Sequence, residues 1–245
     1  MAGTFYVVPT PVGNLSDMTP RAVEVLKSVD IILAEDTRTS AVLLRHYGIS
    51  TPMQSYHKFN EHEITSAIGQ RIAEGQDIAL ISDAGTPGIS DPGFLLAREC
   101  RELGAQVITL PGATAFVPAL ISSGLPCDRF TFQGFLPLKK GRQTRLEEIA
   151  NSPISNIIYE SPLRLVRTLG ELAKSCGPER EASVSREISK KYEETRCGTL
   201  EDLQKHYTSQ TPKGEIVIVV GPKPQIKTKV HRNKYKDTED LTSSD

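Results

Sequence analysis

The sequence predicts an α/β fold from two observations. Apolar, strand-like runs alternate with segments of helical periodicity over most of the 245 residues. That order is the pattern of a largely parallel sheet with right-handed helical crossovers. One run, Ile78-Ala79-Leu80-Ile81, passes directly into Ser82-Asp83-Ala84-Gly85-Thr86-Pro87-Gly88-Ile89-Ser90-Asp91-Pro92-Gly93 and then into the amphipathic stretch Phe94–Cys100. Ligands of open α/β sheets bind in the crevice beyond the strand C-termini. Glycines let the backbone approach a ligand and prolines fix the loop shape. A loop that only turned the chain would take far fewer residues.

The elements follow in order. Thr4–Val8 is the first strand and Pro9–Asp17 the loop after it. Thr19 and Pro20 open a helix as N-cap and first residue, with Ala22, Val25, Leu26 and Val29 on its apolar face. Asp30–Ala34 is the second strand and ends in Glu35-Asp36-Thr37-Arg38. A helix is expected over Ser40–Tyr47, closed by Gly48. Met53–Tyr56 reads as a short strand, Glu61–Glu74 as a helix ending at Gly75, and Gln106–Leu110 as a strand entering Pro111–Ala115. The apolar helix around Ala115–Ser123 leads into a second unit. Its strands are expected at Phe130–Phe135, Asn156–Glu160, Ala182–Ser185 and Glu215–Val220, with helices near Arg142–Ala150, Leu163–Cys176 and Leu200–Tyr207. Periodicity stops at Gly221. The expected organisation is therefore an N-terminal α/β domain over 1–114, a C-terminal one over 115–222, and a disordered tail over 223–245.

Bulk properties narrow the function classes. A formal net charge of -1 carries no global nucleic-acid signature, which leaves only a local basic face for such a partner. The N-terminus has no secretory pattern and no apolar run approaches a membrane span, so a cytoplasmic location is expected. Cys100, Cys127, Cys176 and Cys197 form no CxxC pair and read as reduced thiols. His57 and His62 lack the spacing of a helical zinc site and read as loop or surface residues. No metal is expected. Neither GxGxxG nor a Walker A lysine loop occurs.

Six short motifs recur in one order: Pro11-Val12-Gly13-Asn14-Leu15-Ser16-Asp17, Ala34-Glu35-Asp36-Thr37-Arg38, Ile81–Gly88, Pro111-Gly112-Ala113-Thr114-Ala115, Gly134-Phe135-Leu136-Pro137 and Tyr159-Glu160-Ser161-Pro162-Leu163-Arg164. The first resembles the tetrapyrrole-methylase superfamily. Together they resemble, over roughly residues 3–222, the bacterial family of ribosomal RNA small subunit methyltransferase I. That resemblance implies two α/β domains, each with a central mostly parallel sheet, meeting at a cleft that holds S-adenosylmethionine. It implies 2′-O-methylation of a cytidine ribose in the decoding region of 16S ribosomal RNA, on the assembled small subunit, by a homodimer. Where tetrapyrrole methylases usually carry Gly-Asp-Pro, this chain has Ser82-Asp83-Ala84-Gly85-Thr86-Pro87, which favours the RNA-modifying branch.

Under that reading each residue has a functional role and a plainer one. Pro11 and Gly13 shape the first loop beneath the cleft, or simply turn the chain. Asp83, Ala84, Gly85 and Thr86 wrap the methionine end of the cofactor, Asp83 facing its ammonium, unless Asp83 only caps a turn. Thr114 and Ala115 admit the cofactor by their small size, or merely pack a helix on the sheet. Gly214, next to Lys213, contacts adenine or begins a buried strand. Asp36 and Glu160 are the two candidates for a base acting on the 2′-hydroxyl. Their plainer roles are an Asp36–Arg38 pair and, beside Glu160, a helix start capped by Ser161. Arg38, Arg164, Lys139, Lys140 and Arg142 are candidate RNA contacts, as is the basic tail, although a charge run is often only a solvated face. Ser90 and Asp91 are read as caps of a helix beginning near Pro92. Two competing functions remain at this point: a tetrapyrrole-type small-molecule methyltransferase, and a ribosome-binding factor that keeps the pocket as scaffold.

Overall fold

The computed structural model describes residues 2–210 and 212–224. The expected tail therefore lies almost wholly outside the described residues. The first sheet contains β1 (Thr4–Val7), β2 (Ile31–Ala34), β3 (Met53–Ser55), β4 (Ile78–Ile81) and β5 (Gln106–Thr109), in the order β3-β2-β4-β1-β5 with every pairing parallel. Its crossovers are α1 (Pro20–Ser28), α2 (Thr37–His46), α3 (Glu61–Ala73) and α4 (Phe94–Glu102). Strand side chains alternate between two cores. Ala79 and Ile81 of β4 pack with Ala22, Leu26 and Leu44 of α1 and α2. Ile78 and Leu80 pack with Ile68, Ile72 and Leu96 of α3 and α4. Burial on both faces explains the continuous apolar run of β4.

The local signals act as anticipated at several joints. Thr19 caps α1 through its hydroxyl, which accepts the Ala22 N–H at 3.1 Å, and Pro20 is the first helical residue. Gly48 follows α2 in the left-handed region at φ 61°, with its N–H on the Arg45 carbonyl at 3.2 Å. Among the described residues, no helix is long and apolar enough to cross a membrane.

The second sheet departs from the expected mostly parallel arrangement. Its strands are β6 (Phe130–Phe135), β7 (Ser155–Glu160), β8 (Glu181–Arg186), β9 (Glu194–Thr199) and β10 (Ile216–Val220), in the order β6-β7-β10-β8-β9. Only β6–β7 is parallel; β7–β10, β10–β8 and β8–β9 are antiparallel. The cause is β9, which the sequence reading passed over. Its Glu-Thr-Arg-Cys-Gly-Thr carries no apolar alternation, because it is an edge strand held by polar pairs. Ser185 and Thr195 share a hydroxyl hydrogen bond at 2.8 Å, and Arg186 donates to Glu194 at 2.7 Å. The β8–β9 hairpin reverses the chain, and β10 then inserts between β7 and β8 in the opposite sense.

Helices α6 (Arg142–Asn151), α7 (Leu165–Cys176) and α8 (Leu200–Ser209) cover one face of this sheet through Leu146, Ile149, Leu169, Leu172 and Leu203 against Ile216, Ile218 and Val220. The other face receives α5 (Phe116–Ser122), whose Ala119 and Leu120 meet Ile157, Val217 and Val219. The apolar helix that follows the first sheet thus packs on the second.

Candidate functional site

Parallel pairing puts the C-terminal ends of β1, β2, β4 and β5 at one edge, where their loops are stitched together. Thr10 and Gly85 exchange backbone hydrogen bonds at 2.8 and 2.9 Å, the Thr10 hydroxyl donates to the Ser82 carbonyl at 3.0 Å, and the Thr86 hydroxyl donates to the Ala113 carbonyl at 2.9 Å. These bonds hold the glycine-rich loop open towards the second sheet. Between the two sheets lies a cleft of about 460 Å³, within the size range of small-molecule sites.

The loops that follow the strands of the first sheet contribute Val12, Glu35, Asp83–Thr86, Ile89–Asp91, Thr114 and Ala115 to this cleft. The second domain contributes Phe135, Tyr159–Pro162, Ile188 and Gly214–Val217. Because β10 runs against β7, Ile216 stands opposite Glu160, and the start of β10 meets the end of β7. In an all-parallel sheet the Gly214 end would lie at the far side.

Seven of the nine expected cofactor residues line the cleft: Asp83, Ala84, Gly85, Thr86, Thr114, Ala115 and Gly214. Pro11 and Gly13 do not line it, although Val12 between them does. Gly13 has a packing task instead. A Cβ there would fall on the Lys190 side chain, so the missing side chain lets the β8–β9 loop close against the first domain. Ser189 of that loop donates its hydroxyl to Asp17 across the domains. Lys190 is held by Glu187 at 3.0 Å and Glu215 at 3.1 Å. Gly214, at φ 89°, approaches the Glu187 carboxylate so closely that a Cβ would overlap it.

The two candidate bases are committed elsewhere. Asp36 caps α2, accepting the Arg38 N–H at 2.9 Å, and is gripped by the Arg38 guanidinium at 3.1 and 2.7 Å. Those Arg38 hydrogen bonds hold its carboxyl down at about 2. Arg38 is otherwise open, with 90% of its side chain exposed. Glu160 is buried and accepts from the Ser161 N–H at 2.7 Å, Arg164 Nε at 2.6 Å and the Thr168 hydroxyl at 2.6 Å. Ser161 does not cap the helix: α7 starts at Leu165, and the Ser161 hydroxyl accepts the Leu163 N–H within the preceding turn.

Arg142 also departs from its expected role. Its guanidinium is buried and donates to Glu171 at 2.7 Å, the Pro137 carbonyl at 3.1 Å and the Thr168 hydroxyl at 2.8 Å. Burial works against the Glu171 charge, yet hydrogen bonds from Arg142 and Arg167 outweigh it and keep that carboxyl below its ordinary value. Arg142 thus locks α6 to α7 and is withdrawn from any phosphate, whereas Lys139 and Lys140 beside it are exposed.

The sequence reading missed Glu35, Ser90, Asp91, Phe135, Tyr159 and Ile188. Helix α4 begins at Phe94 with Gly93 at its N-cap and no side-chain cap, so Ser90 and Asp91 are not capping residues. The cap pattern Ser-Asp-Pro concealed them. Ser90 lies at φ 70°, and the other described non-glycine residues at positive φ, Glu187 and Ser189, sit in the β8–β9 loop. Strained backbone of this kind concentrates at functional sites.

Three cleft carboxyls share a negative field. Burial and then Asp83 raise the Glu35 carboxyl, partly offset by Lys58 and His57. Burial raises Asp83 as well, against the Asp36 N–H that lowers it. Burial, then Glu35 and Asp83, push Asp91 up to about 7, and burial with Asp91 pushes the Tyr159 phenol up to about 12. Among the described residues, no group of three or more His, Cys, Asp and Glu side chains could hold a metal ion.

Comparison with known proteins accords with this geometry. Residues 4–204 match the tetrapyrrole (corrin/porphyrin) methylases as a family. The chain is 48% identical over 237 residues to ribosomal RNA small subunit methyltransferase I of Synechocystis, covering 96% of this chain and 85% of the relative. It is 49% identical over 219 residues to the protein of that name from Mesorhizobium japonicum, covering 89% and 74%. Solved structures share the fold at lower identity. The methyltransferase CobJ superposes with a TM-score of 0.66 at 21% identity over 90% of this chain and 95% of that one. Uroporphyrin-III-C-methyltransferase from Thermus thermophilus superposes with a TM-score of 0.62 at 21% identity, over 89% and 94%. The kinship extends through both sheets and across the cleft between them, and the chain therefore belongs to the ribosomal RNA small subunit methyltransferase I family of the tetrapyrrole methylases.

Proposed function

We propose that this protein transfers a methyl group from S-adenosylmethionine to small-subunit ribosomal RNA, at the 2′-hydroxyl of a cytidine in the decoding region. The observation that carries the acceptor class is the near-half identity, over almost the whole chain, to ribosomal RNA methyltransferases. The cleft supports the donor. Asp83 and Glu35 would face its positive charge. Backbone groups of Gly85-Thr86, Thr114-Ala115 and Gly214–Val217 would take its polar edges, and Phe135 and Tyr159 its apolar surfaces. When bound, the donor supplies a methyl group activated by a sulfonium sulfur. The protein's part is alignment of the acceptor oxygen with that carbon and exclusion of water from the cleft.

Lys139, Lys140 and Arg38 are the proposed phosphate contacts, with Arg164 a partly exposed fourth that also serves Glu160. Homodimer formation and action on the assembled subunit belong to the same reading. The test is methyl transfer from labelled S-adenosylmethionine to small subunits lacking the modification, with bare RNA alongside and alkali-resistant linkages mapped. Label at one cytidine ribose on subunits is expected. Cofactor binding with no label on either RNA substrate would refute the reading and favour a small-molecule acceptor.

A further inference from the structure

We propose that the Asp91 carboxylate accepts the proton of the acceptor hydroxyl during methyl transfer. This assignment rests on the function proposed above and names a residue that the sequence motif disguises as a helix cap. Four observations carry it.

Asp91 lines the cleft from the far end of the glycine-rich loop, where the left-handed turn at Ser90 delivers it. Its surroundings there include Ile89 and, from the second domain, Phe135 and Tyr159, so it sits where the two domains face one another. The two acids first expected as bases are occupied: Asp36 by Arg38, and Glu160 by three donors. Finally, the groups facing Asp91 are Glu35 from the end of β2, Asp83 from the start of its own loop and Tyr159 from β7. Burial at the domain seam disfavours its charge first, Glu35 and Asp83 add to that, and the neutral Tyr159 phenol brings no countercharge, which together make the carboxylate basic enough to take a proton near neutral pH.

Glu35 and Asp83 fit the role less well. Glu35 is offset by Lys58 and His57, and Asp83 by the Asp36 N–H. The step balances without a further reactant. The acceptor oxygen forms its bond to the methyl carbon of S-adenosylmethionine, and the carbon–sulfur bond breaks with its electron pair remaining on sulfur. The hydroxyl proton passes to an Asp91 oxygen and is released to solvent after the product leaves.

The test uses the full chain and three variants, Asp91→Asn, Asp91→Ala and Asp91→Glu. Single-turnover methyl transfer to small subunits is followed from pH 5.5 to 9. Binding of S-adenosylmethionine is measured by calorimetry, and binding of subunits by filter retention. In the native protein the rate should rise with pH and level off at or below about pH 7, since bound positive charge lowers the carboxyl. Asp91→Asn and Asp91→Ala should lose about 10²- to 10⁴-fold in rate, the range of a positioned general base. Both should lack the acid limb while binding cofactor and subunits within a few-fold of native. Asp91→Glu should recover part of the rate together with the limb.

An Asp91→Asn rate within tenfold of native overturns the assignment. So does a loss matched by an equal loss of cofactor or subunit binding, because Asp91 would then be a binding residue. Absence of transfer by the native protein overturns the ribosomal reading and the assignment with it, an outcome distinct from transfer by native and variant alike.

Discussion

Replacing Arg142 with alanine separates a residue that builds the second domain from one that touches RNA. Arg142 is 8% exposed at its side chain and closes on Glu171 at 2.6 Å through Nη2. The same guanidinium holds the Thr168 hydroxyl, which in turn donates to Glu160 at the cleft. Removing one partner of a buried ion pair costs about 3–5 kcal/mol. Glu171 keeps Arg167 at 2.8 Å and is itself 28% exposed, so the expected loss is reduced to ~2–3 kcal/mol. In a chain of this length each kcal/mol lowers Tm by about 2–4 °C, which gives a fall of ~5–10 °C. Thermal melting and denaturant titration measure it. Subunit binding at a temperature where the variant is folded should keep the native dependence on salt. The reasoning is refuted if the variant melts within ~2 °C of native and the slope of log affinity on log salt drops by about one, the mark of a lost phosphate contact.

Three other outcomes are expected. The carboxyl of Asp91 lies near 7 in the fold against an ordinary 3.8, so the folded state holds a proton that the unfolded chain releases. Ligand-free stability should therefore fall as pH rises from about 4 to about 7. The full displacement is worth about 4 kcal/mol, which screening at an open cleft reduces to ~1–2 kcal/mol. Asp91→Asn should flatten that dependence and melt above native at pH 8; an unchanged pH profile would contradict the shared negative field. Gly214→Ala, at φ 89° and against Glu187, should cost ~2–3 kcal/mol, from the left-handed backbone and the displaced carboxylate, and should weaken S-adenosylmethionine binding. Native values in both denaturation and calorimetry would show that the close approach is dispensable. A Lys139→Gln, Lys140→Gln double variant should melt like native while its salt slope for subunit binding falls by about 1–2; an unchanged slope would make both lysines a solvated face.

Local chemistry determined much of this protein. The apolar runs of β2 and β4 are buried on both faces, and those of β1 and β5 add side chains to the same two cores, so the first sheet was readable strand by strand. The loop at Ser82–Gly93 announced the cleft because a plain turn has no use for so many glycines, prolines and acids. Six of the cleft-lining residues, Asp83–Thr86, Thr114 and Ala115, came from motifs that each lie on one loop.

What only the tertiary structure decided depends on partners far away in the chain. The direction of β10 hinged on β9, an edge strand whose polar sequence gains stability from pairing with β8 and so carries no local signature. Asp91 reads as a helix cap in one dimension, since Ser-Asp-Pro is a cap pattern; only the fold sets it opposite Tyr159. Arg142 sits in a basic run, and its charge looked like a surface feature until α7 brought Glu171 and Thr168 to it. Sequence thus fixes an element's type when burial or a turn imposes its own residue pattern. Strand sense, side-chain partners and the charge state of an acid are properties of the assembled neighbours, and they appear only once those neighbours are in place.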